Sequence, residues 1–262
     1  MTTPFHVEPL PATFGATVTG LRLAGLDEPA FQGLYRTWLD YGLLIFPSQH
    51  LTRDEQMAFA RRFGDLEIPF APISNVRPDG SVRLDDASDD VVKVLKGNMG
   101  WHCDSTYMPV QAKGAVFSAQ VVPPADGETE WADMAAGYEA LPAATRNRIE
   151  GLSAYHSLRY SQGKLGHSHA AGSAYSGYGM TEETPPLRPL VKRHPETGRP
   201  CLMAGRHAFG VPGLAEDESE RLLEDLVDIA CRAPRVWRHS WTPGDVVVWD
   251  NRRLMHRARP GT

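Results

Sequence analysis

The apolar residues of this chain come in short runs, each cut off by proline or glycine. Leu43–Phe46 lies between Gly42 and Pro47, Ala115–Val122 ends at Pro123-Pro124, and Asp245–Trp249 follows Pro243-Gly244. Runs of this length suit buried strands, and the punctuation stops them from growing into long helices. None approaches eighteen apolar residues, so no transmembrane helix and no membrane partner are expected. Regular βαβ alternation is missing, as are GxGxxG and GxxxxGK[ST], which argues against nucleotide-binding α/β folds. The pattern predicts one domain over 1–262, mainly β with flanking helices, arranged as an antiparallel sandwich or jelly roll.

Helical spacing is clear in a few places. Phe31, Leu34, Tyr35, Trp38 and Leu39 form one stripe over 28–41, stopped by Gly42. Thr52 with Glu55 is a capping box that opens a helix running to Gly64. Further helices are expected over 135–141, 143–151 and 216–231. Strands are expected over 17–23, near 91–95, at 190–193, 201–204 and 236–240, and finally at 245–249. Residues 65–98 and 160–186 read as long loops, which in compact domains usually carry function.

The charge balance excludes other classes. With 27 Lys+Arg against 32 Asp+Glu, the net charge of −5 offers no basic surface, so nucleic acid is not an expected partner. The start, MTTPFHVEPLPATFG, lacks a secretory pattern. Cys103, Cys201 and Cys231 are odd in number and have no CxxC spacing, which fits a reducing cytoplasm. No GxSxG or HExxH points to a hydrolase.

The chemistry centres on GNMGWHCDSTYMP. If His102 and Asp104 lie in a strand, they point the same way and can share a metal, while Cys103 points away. Two other H-x-[DE] pairs exist, His6–Glu8 near the start and His194–Glu196 in a turn sequence. His256, in DVVVWDNRRLMHRARP, is the candidate third ligand. Two histidines and a carboxylate with open positions are the pattern of non-haem Fe(II) oxygenases, whereas zinc more often adds His or Cys. Taken alone, the residues leave two readings open: a metal centre, or histidines satisfied within a core.

HCD, then GETEW, then WDNRRLMH together resemble the taurine/2,4-dichlorophenoxyacetate dioxygenase family. The resemblance spans nearly the whole chain and includes GLLIFPSQHLTRDEQMAFARRFGDLE and HPETGRP. Within the family, GNMGWHCDSTYMPVQAKGAVFSA, ISNVRPDGS and YSQGKLGH are most similar to the branch acting on (S)-2-aryloxypropionates and aryloxyacetates. The resemblance implies a double-stranded β-helix (jelly roll) using Fe(II), 2-oxoglutarate and O2. It places the iron on His102, Asp104 and His256, 2-oxoglutarate on Thr129, Trp249 beside that co-substrate, and Asn98 on the substrate side. Hydroxylation at the ether carbon would release a phenol with pyruvate or glyoxylate, alongside succinate and CO2.

The substrate so implied is a small organic anion. Lys96, Arg206 and His207 are candidates for its carboxylate, and Phe70, Tyr175 and Tyr178 for its ring. A second histidine pair, His167 and His169, reads as a solvated loop feature. The family also places an arginine for 2-oxoglutarate some eleven residues beyond the last histidine, where this sequence does not extend; a C-terminal strand is therefore expected beyond Thr262. Alternatives are the same chemistry on an alkyl sulfonate, sulfate ester or acylated amino acid, a catalytically silent jelly-roll binding protein, and a zinc hydrolase. A homo-oligomer is compatible with all of these.

Overall fold

The computed structural model describes residues 5–83, 89–166 and 184–260. The expectations placed on Tyr175, Tyr178, His167 and His169 lie outside these residues. The chain opens with β1 (His6–Pro9), β2 (Ala16–Thr19), α1 (Glu28–Tyr41), β3 (Leu43–Phe46) and α2 (Arg53–Arg61). Helix α1 begins where the Asp27 carboxylate accepts the Ala30 N–H at 2.9 Å, a cap worth about 1 kcal/mol. It ends where Gly42, at φ 75°, donates its N–H to Trp38 O, a left-handed stop that suits glycine. The Thr52–Glu55 capping box opens α2 as expected.

Helix α3 (Asp90–Gly97) corrects the strand expected near 91–95. Val91, Val92 and Val94 favour a strand by propensity, but the Asp89 carboxylate accepts the N–H groups of Val91 and Val92 and starts a helix. Next come β4 (Gly114–Ser118), β5 (Thr129–Asp133), α4 (Met134–Glu139), α5 (Ala143–Ile149), β6 (Ser153–His156) and α6 (Leu158–Lys164). Helix α6 corrects part of the loop expected over 160–186: the Ser157 hydroxyl accepts the Tyr160 N–H and caps its first turn.

The remaining elements are β7 (Leu187–Pro189), β8 (Val191–Arg193), β9 (Pro200–Leu202), β10 (Ala208–Phe209), α7 (Glu216–Ala230), β11 (Val236–His239), β12 (Val246–Asp250) and β13 (Leu254–Ala258). Strand β13 follows the one expected to be last. Its mixed sequence, LMHRA, lacks the apolar run that made β12 legible.

The strands form a jelly roll. One sheet has the order β1-β2-β3-β12-β4, a second β11-β5-β13, a third β10-β6-β7, and β8 pairs with β9. Strands β3 and β12 are buried on both faces, which explains their continuous apolar sequences. Leu44, Phe46, Val246 and Val248 pack against α1 and α2 through Leu34, Trp38 and Phe59. The alternate residues, Leu43, Ile45, Val247 and Trp249, face Trp131 and Leu254. A third core joins α4 and α7 to β9 through Ala135, Leu202, Leu222 and Leu226. Each such Leu, Ile, Val or Phe side chain contributes roughly 1.5–3 kcal/mol by leaving water. Among the described residues no helix is long and apolar enough to cross a membrane.

Candidate metal centre

Strand β13 carries His256 on the interior of the smaller sheet, paired with Trp131 of β5. His102 reaches it through an isolated antiparallel bridge, in which each residue donates its N–H to the other's carbonyl, at 3.0 and 2.8 Å. The chain then leaves strand geometry. Asp104 enters a turn, and Ser105 adopts φ 56°. The expectation that His102 and Asp104 converge through strand alternation is therefore corrected. They converge because one residue of a bridge is followed by a turn that brings the carboxylate back.

Asp104 Oδ1 lies 3.7 Å from His102 Nε2 and 3.6 Å from His256 Nε2. One donor atom from each of the three residues lies within 4.8 Å of the others. The imidazole centroids are 4.2 Å apart. His102 Nδ1 contacts Gly100 O at 2.7 Å, which fixes Nδ1 as the protonated nitrogen and leaves the Nε2 lone pair for a ligand. Burial pushes His102 down to about 3, aided by the neighbouring His256 and Arg206, and burial also pushes His256 down to about 3. Both rings are thus neutral at physiological pH, the form that binds a metal. Desolvation holds the Asp104 carboxyl above its ordinary range, with His102 opposing. Two neutral imidazoles and a carboxylate whose side chain is 37% exposed fit a divalent cation that has open positions.

The other predicted residues fall around this cluster. Trp249 is fully buried, its ring 4.8 Å from that of His256 and its indole N–H without a partner among the described residues. Thr129 begins β5, where its hydroxyl accepts the Trp241 indole N–H at 3.0 Å. Asn98 ends α3, and its carbonyl accepts the N–H of Ala258 in β13. Lys96, on the last turn of α3, has an exposed side chain.

Arg206 is the most informative of the set. Its Nε and Nη1 are buried with no partner among the described residues, and Nη2 makes a long 3.4 Å bond to Ser161 Oγ. Burial pulls the guanidinium down to about 10. It fills a slot kept open by glycine: a Cβ at Gly97 would lie 2.6 Å from Nη1, and one at Gly100 3.2 Å from Cδ. His207, next along the chain, packs edge-on to His102 and Tyr107 while its Nδ1 contacts the Ser161 hydroxyl at 2.9 Å. Cys103 points away as expected, with its thiol toward Leu254 O and its pKa raised by burial.

Some contributors had no signal of their own in the sequence. His194 is buried and binds Asp250 at 2.9 Å, so the H-x-E pair read as a plain turn is an anchor for the β12–β13 corner. Arg253 forms a bidentate buried pair with Asp133 from the same corner. Asn251 and Trp241 contact the backbone of Asp104 and the side chain of Thr129.

A model of the taurine catabolism dioxygenase TauD, TfdA family matches residues 6–262. The chain belongs to this family. It is 60% identical over 261 residues to the (S)-phenoxypropionate/alpha-ketoglutarate-dioxygenase of Sphingobium herbicidovorans, covering 99% of this chain and 91% of that protein. It is 37% identical over 271 residues to the alpha-ketoglutarate-dependent 2,4-dichlorophenoxyacetate dioxygenase of Cupriavidus pinatubonensis, covering 96% and 91%. The crystal structure of AAD-2 in complex with Mn(II) and N-oxalylglycine superposes with a TM-score of 0.90 at 35% identity, covering 100% of this chain and 92% of that one. The protein is accordingly an Fe(II)- and 2-oxoglutarate-dependent dioxygenase with the jelly-roll fold expected of it.

Proposed function

We propose that this dioxygenase hydroxylates aryloxyalkanoates, with (S)-2-aryloxypropionates preferred and aryloxyacetates accepted. His102, Asp104 and His256 hold Fe(II), Thr129 donates a hydrogen bond to 2-oxoglutarate, and Trp249 walls the co-substrate's side of the metal. Bound Fe(II), with 2-oxoglutarate and O2, supplies the oxidation that yields succinate, CO2 and a hydroxylated substrate carbon. The protein's part is placement. Hydroxylation at the carbon bearing the ether oxygen gives a hemiketal or hemiacetal, which collapses to a phenol plus pyruvate or glyoxylate.

The single observation that carries the substrate reading is Arg206. A buried guanidinium whose N–H donors lack partners among the described residues is costly unless an anion completes it. The Arg206 backbone N–H donates to Trp101 O at 2.8 Å, next to His102, and its side chain lies against Gly100. A carboxylate is the acidic group that an aryloxyalkanoate carries next to the carbon to be hydroxylated. Asn98 and Lys96 border the same side at the end of α3. The substrate is a small anionic molecule, which agrees with the relatives named above.

The test is phenol release from (S)- and (R)-2-(2,4-dichlorophenoxy)propionate, with taurine as control and succinate measured in parallel. Faster phenol release from the (S) form is expected. Succinate formed on taurine, with phenol from neither enantiomer, would remove the aryloxy reading and leave the iron chemistry standing.

A further inference from the structure

Asn251 is completely buried in the corner between β12 and β13, and its side chain's hydrogen bonds go to backbone groups. Its carboxamide oxygen accepts the Asp104 N–H at 2.8 Å, and its amide nitrogen donates to Asp104 O and to Ala112 O, both at 2.9 Å. One primary amide thus holds both peptide groups of a single residue and spends both its N–H groups doing so.

The ladder explains why this is needed. His102 and His256 exchange both backbone bonds, as a hydrogen-bonded antiparallel pair does. The next such rung would pair Asp104 with Leu254. That rung is not made: Leu254 O faces the Cys103 thiol at 3.4 Å, and the chain at Ser105 has turned left-handed. The Asn251 side chain presents the acceptor and donor that a partner strand would have offered to Asp104.

We infer that Asn251 is a positioning residue whose carboxamide replaces the missing ladder rung at Asp104 and thereby sets how tightly the centre binds its divalent metal. The inference rests on the assignment of His102, Asp104 and His256 as metal ligands. The carboxylate sits at a turn with more than a third of its surface exposed, so its own packing does little to aim it. Fixing the peptide groups on both sides of its Cα fixes the direction in which the side chain leaves the backbone, and outer partners of this kind commonly change metal affinity ten- to a hundredfold.

The experiment is anaerobic Co(II) titration of the metal-free full chain, read by Co(II) absorbance and independent of turnover. Asn251→Asp keeps the shape and the acceptor but turns an oxygen toward two carbonyls. It should weaken Co(II) binding by roughly ten- to a hundredfold. In an Asp104→Ala background the same substitution should leave the residual affinity unchanged, because the effect travels through Asp104. Unaltered affinity in Asn251→Asp, or an equal loss in both backgrounds, overturns the inference. Should the variant not fold, hydrogen exchange on the wild-type metal-free chain decides: the Asp104 N–H should be protected as well as that of His256, and fast exchange at Asp104 overturns it. If the wild-type chain binds no Co(II), or binds it equally after His256→Ala, the ligand assignment fails and this inference with it.

Discussion

The metal side of the site and the segment over 65–83 are held in opposite ways. His102 and His256 are 5% and 8% exposed and joined by paired backbone bonds, and the corner before His256 is anchored by His194, Arg253 and Asn251. Along 65–83, by contrast, Ile68, Ile73, Val76 and Val82 are exposed, and the regular pairing is a single bridge between Val76 and Val82. One region ties the backbone around its converging side chains to fixed partners; the other presents apolar side chains to solvent. The difference separates two tasks. Groups that converge on one point must be held to a fraction of an ångström, whereas an exposed segment without that task tolerates looser construction.

The largest effect should come from breaking the first region at its ligand. Asp104→Ala should reduce succinate formation at least a hundredfold while the thermal midpoint stays near wild type, since on the proposed assignment the residue contributes a metal donor and not a core side chain. Retention of more than a few per cent of activity with Fe(II) would dissolve the contrast at its root. Next in size is Arg206→Gln. Removal of a buried charge partner for a carboxylate commonly costs 2–5 kcal/mol, so the KM for an aryloxypropionate should rise about thirtyfold or more. The KM for 2-oxoglutarate should stay unchanged, and a rise in both would move Arg206 from the substrate to the co-substrate.

Thr129→Ala should raise the 2-oxoglutarate KM roughly tenfold, the loss of one hydrogen bond to a charged group worth about 1.5 kcal/mol. Trp241→Phe gives a finer version, because the indole N–H directs the Thr129 hydroxyl proton away from itself; a smaller rise in the same constant is expected. The smallest effect belongs to the second region. Ile73→Ser should alter stability by no more than about 0.5 kcal/mol, as surface substitutions do, and should leave Co(II) affinity unchanged. Weakened metal binding in that variant would mean that the two regions are coupled.

How much of this was legible in the sequence depended on where each signal was local. The limits of α1 and β3 follow from Asp27, Gly42 and Pro47, which act on their neighbours, and both elements lie where they were expected. The His102, Asp104 and His256 cluster was legible as a motif but not as geometry. Strand alternation proposed a regular strand through Asp104, and the structure has a bridge and a turn. Helix α3 was misread because three valines outweighed one aspartate cap. The roles of Asn251, Trp241 and His194 could not be read at all. Each depends on a partner far along the chain, and a side chain's sequence neighbours carry no record of such a contact.

The distance between those partners has a consequence for how the enzyme is made. Asp104 and Asn251 are 147 positions apart, so the contact closes a very long loop and belongs among the late, entropically expensive steps of folding. Of the proposed ligand set, the first half of the jelly roll carries only His102 and Asp104, an incomplete chelator. On that assignment, tight metal binding has to wait until β13 brings His256 to the other two. Metal uptake during refolding should lag behind the appearance of secondary structure and serve as a clock for that final docking event.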